Sequence, residues 1–277
     1  MLVEFREILG IAEKGGFAVP ALNVYNMETV MGVIAAAENL NAPVILQNYS
    51  RLFTNDEGFH VAPTIIEAAK RAKVPVCYHL DHGAGRTEVV RALRYGATGI
   101  MIDKSLMPLE ENIAETRKIV EMCSDVNIGV EGEIGHVGSA SDGDEQTTEY
   151  TTVEDAKKFV DSTGVCALAV MVGTAHGRYK KAPKLAIERI ADIHNAADAA
   201  LVLHGGSGVP DEEIKAAIKA GIRKINFGTD LCYSFLDAVF DTSRDIYAID
   251  LFMKGAIDNV KKFAESKIKL LGAENKA

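Results

Sequence analysis

VPVCYHLDHG, residues 74–83, is a short apolar run that stops at Asp81, His82 and Gly83. Its length, the proline near its start and the glycine behind it mark a buried strand rather than a stretch of helix. The same form recurs on both sides: FAVPALNV (17–24), APVILQN (42–48), TGIMID (98–103), NIGVEGEI (127–134), CALAVMVG (166–173), ALVLHG (200–205) and IRKINFG (222–228). With VPVCYHL (74–80) these make eight strand candidates. Helix-like segments lie between them, at Glu28–Leu40, Thr64–Ala72, Thr87–Tyr95, Leu109–Cys123, Glu154–Ser162, Pro183–Asn195 and Asp211–Ala220. Strict alternation argues for parallel strands, and eight repeats without a composition break predict one closed α/β domain over residues 1–277, a (β/α)8 TIM barrel.

Composition agrees with that size. The 277 residues are 48% hydrophobic, enough to fill one large core, and the formal net charge of -9 comes without any basic block that would track a phosphate backbone. Nucleic acid is therefore not an expected partner. No apolar run reaches the ~18 residues of a membrane span. The N-terminus, with Glu4, Arg6 and Glu7 in its first turns, lacks the order of a signal peptide. Cys77, Cys123, Cys166 and Cys232 are scattered without pairing motifs, so reduced thiols in a cytoplasmic setting are expected. The charged tail Glu265–Ala277 is expected to fray. The polar stretch VGSASDGDEQTTEYTT (137–152), behind the fifth strand, reads as a mobile loop over the site.

Reactive groups of such a barrel belong at the C-terminal strand ends. There stand Asn23, Asp81 with His82, Asp103, Glu131 with Glu133, His176, His204 and Asn226. A single strand-end histidine usually means a hydrogen-bonded structural residue. Three of them on separate strands, His82, His176 and His204, with a carboxylate beside the first, have the makings of a catalytic zinc site with an open coordination position. His79 precedes His82 by three residues and cannot share its face in a regular strand, so it is expected in the core or behind the ligands. His60 and His194 read as surface residues, and His136 is a loop residue within reach of the site. Gly205-Gly206-Ser207-Gly208 joins a strand to a helix whose start is marked by Pro210, Asp211, Glu212 and Glu213. Such a turn exposes backbone N–H groups suited to a phosphate, although its glycines would equally serve a tight turn.

These residues resemble the class II, zinc-dependent ketose-bisphosphate aldolases, the group of the fructose- and tagatose-bisphosphate enzymes. The resemblance runs from ALNVYNMET (21–29) through LDHG (80–83), MID (101–103), EENI (110–113), VEGEIG (130–135), VGTAHGRYK (172–180) and LHGGSGVP (203–210) to KINFGTD (224–230). It implies one zinc ion per subunit on His82, His176 and His204, stabilising an enediolate, with Asp81 as the acid/base at the C4 hydroxyl. Asp103 and Glu131 match acidic residues near the metal, there to orient ligands or to take an alternate cation. Asn23, Gly177, Lys180, Gly205, Gly206, Ser207, Asn226, Gly228 and Thr229 match positions around the dihydroxyacetone phosphate half of a sugar phosphate. A bound monovalent cation and a homodimer or homotetramer are further implications.

Two positions depart from that pattern. Fructose-bisphosphate members read N-x-D-T-D near strand eight, and here Gly228 replaces the carboxylate. Many also carry an arginine for the far phosphate at the position of Cys232, whose neutral thiol cannot hold a dianion. The aldehyde half is therefore expected to be unphosphorylated or to bear another acid group, read by Arg51, Arg86 or Arg178. Two other classes stand beside this reading. Amidohydrolase-type zinc enzymes begin with H-x-H on strand one, where this chain has ALNVYN, and a non-catalytic sugar-phosphate binder would have no use for Asp81.

Overall fold

The computed structural model describes residues 1–138, 150–177, 179 and 181–277. Eight parallel strands close on themselves: β1 (Val19–Asn23), β2 (Val44–Tyr49), β3 (Val76–Gly83), β4 (Gly99–Ile102), β5 (Gly129–Ile134), β6 (Ala167–Val170), β7 (Ala200–Leu203) and β8 (Ile222–Phe227). Each pairs with its sequence neighbours, and β1 pairs with β8 from Val19↔Lys224 to Leu22↔Phe227, so no edge is left open. The chain is a single-domain (β/α)8 barrel, as the alternating pattern predicts. β1 and β4 are buried at every position because helices cover one face and barrel side chains the other, which is why they read as unbroken apolar runs.

Helix ends follow local chemistry. Asp211–Ala220 starts where the acidic triplet meets the helix dipole. Glu57–Arg71 begins well before the expected Thr64, because Pro63 lies within it rather than at its start. Ile187–Ala196 begins later than Pro183 suggests. Three helices outside the strand rhythm close the ends of the fold. Phe5–Gly15 lies against the N-terminal mouth, where Phe5 is fully buried and its ring lies 4.6 Å from that of His79. Thr229–Asp241 follows β8, and Lys254–Leu270 packs so closely on Met27–Asn39 that a Cβ at Gly32 would lie 2.7 Å from Val260.

The tail does not fray. Ile268, Leu271 and Ala273 are buried within the charged sequence, and burying a side chain such as Ile or Leu contributes about 1.5–3 kcal/mol. The backbone N–H groups of Asn275 and Ala277 donate to Leu40 and Asn41 carbonyls at 2.9 and 3.0 Å. Composition hid this because the apolar residues recur at helical spacing between lysines. No helix among the described residues is long and apolar enough to cross a membrane. The central part of the expected 137–152 loop lies outside the described residues. Its near end is tied down, since the His176 N–H donates to the Gly138 carbonyl at 2.8 Å.

Candidate active site

The site begins with an irregularity in β3. A regular strand sends neighbouring side chains to opposite faces, yet Asp81 and His82 line one cavity. His82 has a φ of 51°, and the register with β4 shifts between Leu80 and Gly83. This bulge turns the imidazole inward. A left-handed non-glycine residue costs on the order of 1–3 kcal/mol and persists only where its surroundings hold it. Here the Asp103 carboxylate lies 2.7 Å from His82 Nδ1, and Gly83 permits β4 to approach so closely that a Cβ would stand 2.6 Å from the Met101 carbonyl.

Around His82 the other two histidines converge. Its ring centroid is 4.7 Å from that of His204 and 5.0 Å from that of His176, and the latter two are 5.9 Å apart. His204 Nε2–H donates to Glu131 at 2.8 Å, because a carboxylate oxygen can only accept. Asp103 and Glu131 thus hold the outer ring nitrogens, and the inner pair, His82 Nε2 and His204 Nδ1, face each other at 3.0 Å. Asp81 Oδ1 lies 3.9 Å from His82 Nε2. Its carboxylate accepts from Asn23 Nδ2 at 2.8 Å and Asn226 Nδ2 at 3.2 Å, and Gln47 Nε2 holds the Asn23 carbonyl at 2.9 Å. All of this opens into a cavity of about 630 Å³ at the C-terminal mouth.

Comparison with known proteins matches this architecture to one family. The model of class II fructose-bisphosphate aldolases matches residues 3–276. The chain belongs to that family. It is a lyase of the aldolase kind, in a family that is generally zinc-dependent. A sulfofructosephosphate aldolase from Alkalicoccus urumqiensis is 35% identical over 98% of this chain and 97% of its own. The crystal structure of the YdjI aldolase from Escherichia coli K12 superposes with a TM-score of 0.91 at 34% identity, covering both chains completely. A candidate fructose-1,6-bisphosphate aldolase from Coccidioides immitis gives 0.89 at 27% identity over 98% and 96% of the two chains.

The aldolase offers two overlapping donor sets among its described residues. One is His82, His176 and His204, and the other is His82, Asp103 and Glu133, each with ligand atoms within 4.8 Å of one another. Both fit a divalent cation. Glu133 Oε2 is buried without a hydrogen-bond partner, 3.5 Å from His204 Nδ1 and 3.9 Å from His82 Nδ1. The carboxylate behind each of His82 and His204 is the arrangement that orients a metal-binding imidazole. Glu133 was not singled out from sequence, although its spacing from Glu131 puts both on the inner face of β5.

Protonation in the metal-free chain follows the same geometry. Burial opposes charge on His82, but Asp81, the hydrogen bond to Asp103 and Glu133 together lift it to about 10. Burial and then the His82 charge push His176 down to about 4 and His204 well below the imidazole range. Burial and Asp103 raise Glu133 to about 8. Although burial acts against it, Asp103 is held below the usual carboxylate range by the hydrogen bond and charge of His82 and by Ser105. One proton therefore sits on His82, and a metal ion must displace it. Since the raised His82 stays protonated below about 10, zinc affinity should fall about tenfold for each pH unit lowered, with at least one proton released per ion bound. Calorimetry in buffers of different ionisation enthalpy checks this, and pH-independent uptake would contradict it.

The predicted substrate residues divide. Asn23, Gly177, Gly205, Ser207, Asn226, Gly228 and Thr229 line the cavity. Gly206 does not, and its N–H is engaged by the Asn226 carbonyl at 3.1 Å. Gly205, with a φ of 66° and the site of a Cβ only 2.3 Å from the Ala175 carbonyl, admits no side chain. Lys180 and Arg178 lie outside the described residues. Arg51 lines the cavity with its guanidinium over the rings of Tyr25 and Tyr49, at 5.4 and 5.2 Å. Arg86 is exposed at the first turn of Arg86–Arg94 and does not line the cavity. His79 is fully buried beneath the site, His136 lines the cavity beside Ser105, and His60 is exposed on a helix. His194 is half-buried, with its Nδ1 buried and unpartnered.

Proposed function

We propose that this aldolase reversibly cleaves a ketose 1-phosphate to dihydroxyacetone phosphate and an aldehyde. The observation that carries the reading is the meeting of His82, His176 and His204 beside a carboxylate held by two amides. Those three imidazoles would hold zinc, which when bound polarises the ketone oxygen and lowers the cost of negative charge at C3. Asp81 accepts the C4 hydroxyl proton while the C3–C4 bond breaks, the electron pair staying with C3 and the aldehyde leaving with its new carbonyl. In condensation the same carboxyl returns the proton. The amides of Asn23 and Asn226 aim the Asp81 lone pairs, so the proton moves without a search for geometry. The phosphate belongs among Gly177, Gly205, Ser207, Gly228 and Thr229, at the start of the helix Thr229–Asp241. Gly228 makes no side-chain cap there, and the positive end of the helix dipole favours an anion.

The far end of the substrate is a different matter. Gly228 and Cys232 both line the cavity where the usual family pattern has charged groups, and burial pushes the Cys232 thiol up, so it stays neutral. Arg51 supplies a planar cation there, held by two aromatic faces. An acid group on the aldehyde half suits it, and the sulfo group in the name of the Alkalicoccus relative supports that choice. Arg51→Ala is expected to lower kcat/KM for sulfonate- or carboxylate-bearing aldehydes about 10- to 100-fold, the worth of one hydrogen bond to a charged group, and to leave glyceraldehyde unchanged. Equal effects on both aldehydes would remove Arg51 from this role.

The reading as a whole is tested by incubating the zinc-loaded protein with dihydroxyacetone phosphate and neutral and acidic aldehydes, with products identified by mass and NMR. Stoichiometric zinc without carbon–carbon bond formation would favour the non-catalytic sugar-phosphate binder instead. Unpaired cysteines support a reducing, cytoplasmic setting. Exposed Phe240, Tyr247, Ile249 and Leu251, close together in the chain, support a homo-oligomer.

A further inference from the structure

We propose that Lys224 is a positioning residue that couples the imidazole of His204 to the carboxylate of Asp81 across the barrel; the inference rests on the aldolase reading given above. Lys224 is fully buried on β8 and does not line the cavity. A buried ammonium is costly unless every donor finds a partner. Its Nζ lies 2.9 Å from Glu131 Oε2 and donates to Asn226 Oδ1 at 2.7 Å. The other oxygen of Glu131 accepts from His204 Nε2 at 2.8 Å, and the Nδ2 of Asn226 donates to Asp81 Oδ1 at 3.2 Å. A single cation therefore stands at the centre of a chain that runs from β7 through β5 and β8 to β3.

Each arm has a physical task that a neutral side chain could not perform. A carboxamide is nearly symmetric in shape, so only its partners decide which end faces Asp81. With Lys224 donating to Oδ1, the Nδ2 end must face the carboxylate; without it, the amide can rotate and present oxygen to oxygen. On the other arm Lys224 balances the charge of Glu131, which is fully buried between it and His204. Loss of that balance leaves an uncompensated anion under the imidazole and alters its direction or its basicity. Both arms begin at residues of alternate strand positions, Lys224 with Asn226 and Glu131 with Glu133, that share the barrel interior.

The test uses Lys224→Met, Lys224→Arg and the double variant Lys224→Met/Glu131→Gln in the full chain. Zinc affinity is measured by chelator competition, kcat and KM by retro-aldol cleavage of a ketose phosphate that the wild type turns over. Lys224→Met is expected to weaken zinc binding and to lower kcat, each about 10- to 100-fold, with KM held within about fivefold. Lys224→Arg keeps the charge and should recover part of both. If Lys224→Met does not fold, the double variant, which buries no unpaired charge, should bind zinc more nearly as the wild type does while kcat stays low. A folded Lys224→Met with either zinc affinity or kcat unchanged overturns the coupling, as does a double variant with wild-type kcat. Should the wild type cleave no ketose phosphate, the aldolase reading fails by itself, and the zinc measurement still decides the His204 arm.

Discussion

Asp81→Asn is expected to lower kcat for carbon–carbon cleavage about 10²- to 10⁴-fold, the range for loss of a positioned general base. Asparagine keeps the size of the carboxylate but cannot take the C4 proton, and its amide would present a donor to at least one of the two amide donors from Asn23 and Asn226. KM should change little, since the proton transfer is felt only in the transition state. Zinc affinity should also hold, because Asp81 stands 3.9 Å from His82 and outside both donor sets. Exchange of the C3 proton of dihydroxyacetone phosphate with solvent does not touch O4 and should persist, measured by NMR in deuterium oxide. A variant that keeps wild-type kcat would show that another group removes the proton. One that loses zinc together with activity would move Asp81 from base to ligand support.

Chelation is expected to abolish turnover, with a fall of about 10³-fold or more, because Lewis-acid stabilisation contributes several kcal/mol and each 1.4 kcal/mol is a factor of ten. Zinc should restore it in proportion to the ions bound, up to one per chain. Borohydride added with substrate should trap no covalent adduct. Among the described lysines, Lys224 lies deep in the barrel but its Nζ is engaged by Glu131 and Asn226, and the exposed Lys104 donates to the Ala84 carbonyl. An EDTA-resistant rate, or a reduced lysine adduct found by mass spectrometry, would replace the metal mechanism with a Schiff base.

Much of the site could be read from the chain because barrel geometry converts strand ends into an active-site rim. Asp81, His82, His176 and His204 were marked by apolar runs giving way to glycine, and no long-range information was needed. Glu133 and Lys224 were harder to see. Lys224 is a lone charge in IRKINF, which by itself looks like a surface-facing strand residue, and only the closure of β8 onto β1 puts it inside. The choice of Arg51 over Arg86 was likewise invisible, since both follow strands at similar distance and only the Tyr25 and Tyr49 rings direct one of them into the cavity. The docked tail shows the same limit, because its apolar residues have meaning only beside Met27–Asn39.

Local patterns carry information of short range: strand length, period, turn chemistry and the order of motifs. These determined the eight-stranded barrel, the three histidines and the base from the amino-acid sequence alone. Which nitrogen of His82 and His204 faces inward, how β3 breaks its alternation and which buried cation joins two arms of the site depend on contacts between residues far apart in the chain. Those were decided by the tertiary structure, because hydrogen-bond direction and burial exist only once the strands have closed.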